Sequence, residues 1–188
     1  MRTVLIALAL AAVLLVPGMA QAGVADGPHN LNGWHGLVID QGQICVPCHT
    51  PHNAASYAAG PLWNHQMQTT TFTRNGVVVD LSPASKLCMS CHDGVTAVGN
   101  YGGKTDDDHL ITGDAAIGTT LDNDHPMGVA YPTSGGHGYY EEGDAEWDGV
   151  LARLDENGTV QCGSCHTTHS AGTRNNSGSA LCLTCHNK

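Results

Sequence analysis

Four five-residue segments of this chain carry the same reactive side chains at the same spacing: Cys45-Val46-Pro47-Cys48-His49, Cys88-Met89-Ser90-Cys91-His92, Cys162-Gly163-Ser164-Cys165-His166 and Cys182-Leu183-Thr184-Cys185-His186. Together they use all 8 cysteines. Two Cys-x-x-Cys pairs could share a zinc ion through their thiolates, and cysteines of an exported chain could close as disulfides. Neither chemistry explains a histidine after the second cysteine every time. With 12 His among 188 residues, four such coincidences arise by chance at roughly 1 in 10^5. The spacing is that of c-type haem attachment, in which both thiols add to the haem vinyl groups and the next imidazole ligates the iron. Four covalent haem c groups are expected, linked through Cys45, Cys48, Cys88, Cys91, Cys162, Cys165, Cys182 and Cys185, with His49, His92, His166 and His186 as proximal ligands. Redox chemistry would then belong to the cofactors, and the chain would bind, orient and tune them.

The sixth position of each iron decides between electron transfer and catalysis, because two strong axial ligands leave no place for a substrate. Eight histidines lie outside the motifs: His29, His35, His52, His65, His109, His125, His137 and His169. His52 and His169 are the leading distal candidates. Each stands three residues beyond a proximal histidine, too close to reach the same iron from its other face, so each is expected on a neighbouring haem. His125 follows, because Pro126 holds the backbone beside it extended. His29 is the fourth choice, with His35 and His65 in reserve. Met67, Met89 and Met127 are alternatives that would raise the potential. No motif replaces its histidine by lysine, so nothing marks a specialised catalytic haem, and no enzymatic role is expected.

The rest of the chain must position these groups. Met1-Arg2, the apolar run from Val4 to Val16 and Ala20-Gln21-Ala22 read as a cleaved export signal covering residues 1–22. About 13 apolar residues are too few to span a membrane, and no other stretch approaches that length. Export places the mature chain, 23–188, at the cell surface, outside the cell or in the periplasm. Without Arg2, six Lys and Arg face 17 Asp and Glu, a net charge of −11 before any haem propionate is counted. That balance argues against nucleic acid and anionic membranes and favours basic partners. One Phe, 3 Trp and 24 Gly make a poor side-chain core. The expected fold is therefore mostly irregular coil with short helices and a few short β-hairpins, wrapped in one domain around the haems. The apo-chain should be largely unfolded.

The motifs form a doubled repeat. Cys48-His49-Thr50-Pro51-His52 matches Cys165-His166-Thr167-Thr168-His169, whereas the second and fourth motifs lack the trailing histidine. Duplication of a two-haem unit accounts for this order, giving unequal units at about 45–92 and 162–186. The first holds an insertion, with Asn75-Gly76 between β-formers as a hairpin signal, and Asn157-Gly158 within Leu151–Val160 is a similar one. Ser82-Pro83 reads as an N-cap with proline at N1, opening a short helix into the second motif. Residues 94–149 read as Gly- and Asp-rich loop. The acidic runs at 106–108 and 122–124 lack the alternating spacing of a calcium loop.

Cys-x-x-Cys-His-Thr-Pro-His (45–52), Pro61-Leu62-Trp63-Asn64, Leu87–Gly94, Asp124-His125-Pro126 and the terminal Leu181–Lys188 resemble the doubled-CXXCH multihaem cytochromes exported by metal-reducing bacteria. The small tetrahaem members of that group are similar to extracellular cytochromes that polymerise into conducting filaments. The resemblance implies bis-histidine low-spin haems in close-packed pairs and electron transfer to redox proteins or extracellular acceptors. It also implies a head-to-tail homopolymer in which an N-terminal histidine, His29 or His35 here, ligates a haem of the next subunit. His65 stands where an arginine is expected after Pro-Leu-Trp-Asn, which adds weight to it as a ligand. The competing expectations are a monomeric periplasmic shuttle and, in a different class, a multihaem reductase with one open haem.

Overall fold

The computed structural model describes residues 23–50, 52, 54, 62–132, 138–141, 154–170, 172–174 and 179–187. The expected export segment, His137 and the first three residues of the Leu151–Val160 stretch lie outside them. Among the described residues most of the backbone is irregular. Three α-helices are present: α1 (Pro83–His92), α2 (Cys162–Cys165) and α3 (Ala180–Leu183). Four two-residue strands make two antiparallel pairs, β1 (Thr73–Arg74) with β2 (Val77–Val78) and β3 (Val129–Ala130) with β4 (Thr159–Val160). No described helix is long and apolar enough to cross a membrane.

Helix α1 is the longest element at 10 residues, and its boundaries follow from its ends. The Ser82 hydroxyl accepts from the Ser85 N–H at 3.2 Å, and Pro83 occupies the first turn, where no amide donor is needed. At the other end the buried Asp93 carboxylate accepts from the amides of Val95 (2.9 Å) and Thr96 (2.8 Å) and from the Thr96 hydroxyl (2.8 Å). Gly94, at φ 71°, turns the chain away in the left-handed region. The helix contains the whole second motif. Ser82→Ala is expected to lower stability by about 1 kcal/mol through loss of the cap, read as a lower denaturation midpoint at unchanged slope.

The Asn75-Gly76 turn has φ of 50° and 73°, the two positive values that a tight two-residue hairpin requires, and it pairs Thr73 with Val78 and Arg74 with Val77. The second hairpin signal resolves differently. Asn157-Gly158 is closed by the Asp155 carboxylate, which accepts from the amides of Asn157 (3.0 Å) and Thr159 (2.8 Å). The turn then delivers β4 to β3, some thirty residues earlier, with Val129 opposite Val160 and Ala130 opposite Thr159. A local turn signal here serves a long-range pair.

Phe72, Leu81, Met89 and Leu121 form the buried apolar cluster, flanked by Val79, Ile117 and Met127. Leu37, Ile39, Ala97, Val98 and Tyr101 are buried as well. The stretch after Gly94 is thus irregular in backbone but contributes to the interior. Its carboxylates are turned onto their own chain: Asp106 pairs with His109 at 2.7 Å and accepts from the Asp108 amide at 2.9 Å, and Asp122 accepts from the Asn75 amide at 2.6 Å. Gly128, at φ 69°, has no room for a side chain, since a Cβ there would lie 2.7 Å from Val79 Cγ1 and 2.8 Å from the Asp80 carbonyl.

Candidate cofactor site

Each motif is a single helical turn, closed by the histidine amide. His49 donates to the Cys45 carbonyl at 2.8 Å, His166 to Cys162 at 3.0 Å and His186 to Cys182 at 2.9 Å, while His92 ends α1. One turn puts residues i and i+3 on the same face, so both thiols of a motif present together. Three motifs then meet a clamp built the same way. His49 bridges antiparallel to Trp63, His166 to Thr173 and His186 to Tyr139. The residue after each partner donates to the second cysteine: Asn64 N–H to the Cys48 carbonyl at 2.9 Å, Arg174 to Cys165 at 2.8 Å, and Tyr140 to Cys185 at 3.0 Å. On the remaining motif, the second, two amides from a different segment, Ile117 (2.9 Å) and Gly118 (3.1 Å), converge on the His92 carbonyl.

The first clamp is the tightest. The Thr50 amide donates to the Leu62 carbonyl at 2.9 Å, and the Asn64 side-chain amide donates to the Val46 carbonyl at 2.7 Å. Leu62 is held at φ 60°, a conformation that costs a non-glycine residue about 1–3 kcal/mol and persists only where its surroundings enforce it. The fourth motif is held by tyrosines. The Tyr131 hydroxyl lies 2.8 Å from the Tyr140 carbonyl and 3.1 Å from that of Cys185, and the Tyr139 ring sits 4.6 Å from the His186 ring.

The motifs adjoin one another. The thiols of Cys48 and Cys91, those of Cys88 and Cys162, and those of Cys165, Cys182 and Cys185 lie close enough to influence one another's ionisation. The Cys162 amide also donates to the buried Ser85 hydroxyl of α1 at 3.2 Å. No two of the 8 cysteines are joined as a disulfide. Burial pushes Cys48 up to about 11, helped by Cys45, and Cys91 up to about 12. Among the described residues no three His, Cys, Asp or Glu side chains converge as a metal-ion site.

Three histidine pairs stand out. His92 and His29 have ring centres 6.2 Å apart, His49 and His169 6.2 Å, and His186 and His125 6.4 Å. Each joins one motif histidine to one outside the motifs. Imidazole nitrogens bond a transition metal at about 2.0 Å and lie about 1.1 Å from their own ring centre, so two imidazoles on opposite faces of one iron are centred about 6.3 Å apart. The outer nitrogens of these rings fit as well. His92 Nδ1 is 2.7 Å from the Ala115 carbonyl and His125 Nδ1 3.3 Å from that of Pro126. A carbonyl only accepts, so each Nδ1 carries the proton and Nε2 keeps its lone pair for a metal. For His29, burial and then the neighbouring His92, His169 and His166 lower the pKa, which favours the neutral ring that ligates.

The remaining histidines are placed otherwise. His65 is 2% exposed, with Nδ1 3.0 Å from the Gln66 carbonyl and Nε2 3.2 Å from that of Val98, so neither nitrogen offers a lone pair outward. Burial lowers its pKa against the opposing pull of those carbonyls. It touches the second motif through Cys91 Sγ, 3.4 Å away, as a neighbour of the attachment thiol. His35 is exposed and packs on Trp34, ring centres 4.4 Å apart. His109 is tied to Asp106. His52 is exposed, and neither it nor His166 belongs to a described ring pair at this separation. His29, expected to serve a neighbouring subunit, faces His92 of its own chain. No signal in the sequence marked that in-chain pairing, since 62 residues separate the two. No family model matches the chain, and a search of curated proteins returns no match.

Proposed function

We propose that the protein is a tetrahaem c-type cytochrome that passes electrons between closely placed, bis-histidine haems. The reading is carried by the three ring pairs at 6.2, 6.2 and 6.4 Å, each a motif histidine opposed to a non-motif one. Under this reading Cys45 and Cys48, Cys88 and Cys91, Cys162 and Cys165, and Cys182 and Cys185 hold the four haems. His49 with His169, His92 with His29, and His186 with His125 close three irons. The doubled repeat then assigns the fourth. If the trailing His169 of the third motif reaches the haem of the first, the trailing His52 of the first should reach that of the third and pair with His166.

The haems supply reversible one-electron iron chemistry. The chain does the rest. With His52 on His166 as the repeat suggests, imidazoles would hold both faces of every iron, which would leave no open coordination position and make a carrier rather than an oxidoreductase acting on a bound substrate. The Ala115 and Pro126 carbonyls fix two ring orientations. The adjoining motifs keep the cofactors near enough for transfer. Cys45 and Cys182, at the first and last motifs, are exposed, whereas Cys162 is buried. Exposure at the first and last haems favours exchange with partners there. It fits a subunit of an extracellular filament and equally a soluble shuttle.

Export with its haem-attachment machinery should yield protein carrying four haems by mass and by pyridine haemochrome assay, with only low-spin signals in electron paramagnetic resonance. Fewer haems defeats the cofactor assignment, and a high-spin signal revives the reductase. Electron microscopy of material sheared from producing cells decides between filament and shuttle.

A further inference from the structure

We propose that Trp63 donates its indole N–H to a propionate of the haem held at Cys45–His49; this rests on the haem assignment above and adds a residue to it. Trp63 is 9% exposed, and its Nε1 is a buried atom without a partner. Indole nitrogen is only a donor, so it needs an acceptor, and a buried donor left bare is destabilising. Its position is fixed by the first motif. Trp63 is the bridge partner of His49, and the rings lie 6.4 Å apart at 88°. The clamp on either side of it and the strained Leu62 hold the indole where it is.

A haem brings few acceptors to such a site. Its ring nitrogens are taken by the iron, the thioether sulfurs are weak, and the carboxylate oxygens of its two propionates remain. Four haems carry eight propionates, while the chain beyond residue 22 has six Lys and Arg. Lys86 lies 3.7 Å from Asp80, Lys104 lies 2.7 Å from Asp40, and Arg174 Nε donates to the Gly163 carbonyl at 2.8 Å. Cationic partners are too few for all eight, which leaves propionates for water and for neutral donors. Trp63 is one placed at a motif and free of any other duty.

Trp63→Phe removes the donor and keeps an aromatic ring in the clamp. In the four-haem protein, resonance Raman spectra of the variant should show one haem's propionate bending band moved to lower frequency. One of the four reduction potentials should fall, because the carboxylate then keeps more of its negative charge beside the ferric iron. A second readout, if that variant does not mature, keeps Trp63 itself. In a Trp34→Phe, Trp147→Phe double variant, where Trp63 is the one remaining indole, the ultraviolet Raman indole band should report a strong hydrogen bond to an anionic oxygen. An unchanged propionate band, or an indole band typical of a free or sulfur-bonded N–H, overturns the assignment. A wild-type protein with fewer than four haems instead defeats the cofactor reading itself.

Discussion

His169→Ala should convert one haem in four from six-coordinate low-spin to five-coordinate high-spin, visible as a new high-field optical band, a high-spin paramagnetic signal and carbon monoxide binding by the reduced protein. The ring opposite His169 is His49, 6.2 Å away with the two planes only 9° apart. Aromatic rings meet at such distances by ordinary packing too, so the distance alone does not decide the matter. What decides is chemistry. If an iron lies between the rings, removing one leaves a vacant coordination site; if they merely pack, removing one leaves a small cavity and every spectrum unchanged. His65→Ala is the matched control. It leaves a buried carbonyl without its imidazole donor and should lower stability by about 1–3 kcal/mol, yet open no iron, because both ring nitrogens of His65 lie beside the Gln66 and Val98 carbonyls. The contrast between a spin change without large destabilisation and destabilisation without a spin change separates a ligand from a structural histidine. Should His169→Ala remain fully low-spin, the pairing of the first and third motifs is wrong.

The local features of the chain were legible because their causes are local. Ser82-Pro83 starts a helix through one hydroxyl and one fixed φ, and Asn75-Gly76 turns a hairpin because both residues accept positive φ. The local form of the four Cys-x-x-Cys-His segments has the same kind of cause, since one helical turn carries both thiols and the imidazole. Three of the four leading non-motif histidines, His29, His125 and His169, are also those that meet a motif histidine. Two of the reasons that singled them out, the proline beside His125 and the trailing position of His169, are again short-range.

What the sequence left unread is long-range. The β3–β4 pair joins segments some thirty residues apart, which the Asn157-Gly158 turn and its Asp155 carboxylate do not announce. His65, after Pro-Leu-Trp-Asn, is buried beside the Gln66 and Val98 carbonyls. His29, near the N-terminus, meets the ring of His92 in the same chain. The Gly- and Asp-rich stretch reads as loop, yet Val98, Tyr101 and Leu121 are buried within it. None of these depends on residue type at a fixed spacing. Each depends on which distant segment closes over it.

The chain made without its haems should be largely unfolded, and this is the largest effect expected. The side-chain interior explains why. Its main cluster is Phe72, Leu81, Met89 and Leu121, with three partly buried neighbours, and the strands are two residues long. Two-residue ladders fix backbone at an entropic cost of about 1–2 kcal/mol per residue while adding few hydrogen bonds, and isolated hairpins are marginal in water. Helix α1 is too short to persist alone, since helices below about 12 residues are marginal even with good formers. Several groups also lack partners unless something else fills the space between them, among them His29 Nδ1 and Trp63 Nε1. Apolar macrocycles tied through eight thioethers would supply both the missing surface and the cross-links, so cofactor binding and folding become one process. Produced in a compartment without haem attachment, the chain should show a disordered far-ultraviolet dichroism spectrum, no cooperative thermal transition and fast proteolysis across residues 62–132. The haem-loaded protein should resist all three. A cooperative, native-like apo-protein would mean that the side chains alone carry the fold, and the haems would then be passengers in a structure that does not need them.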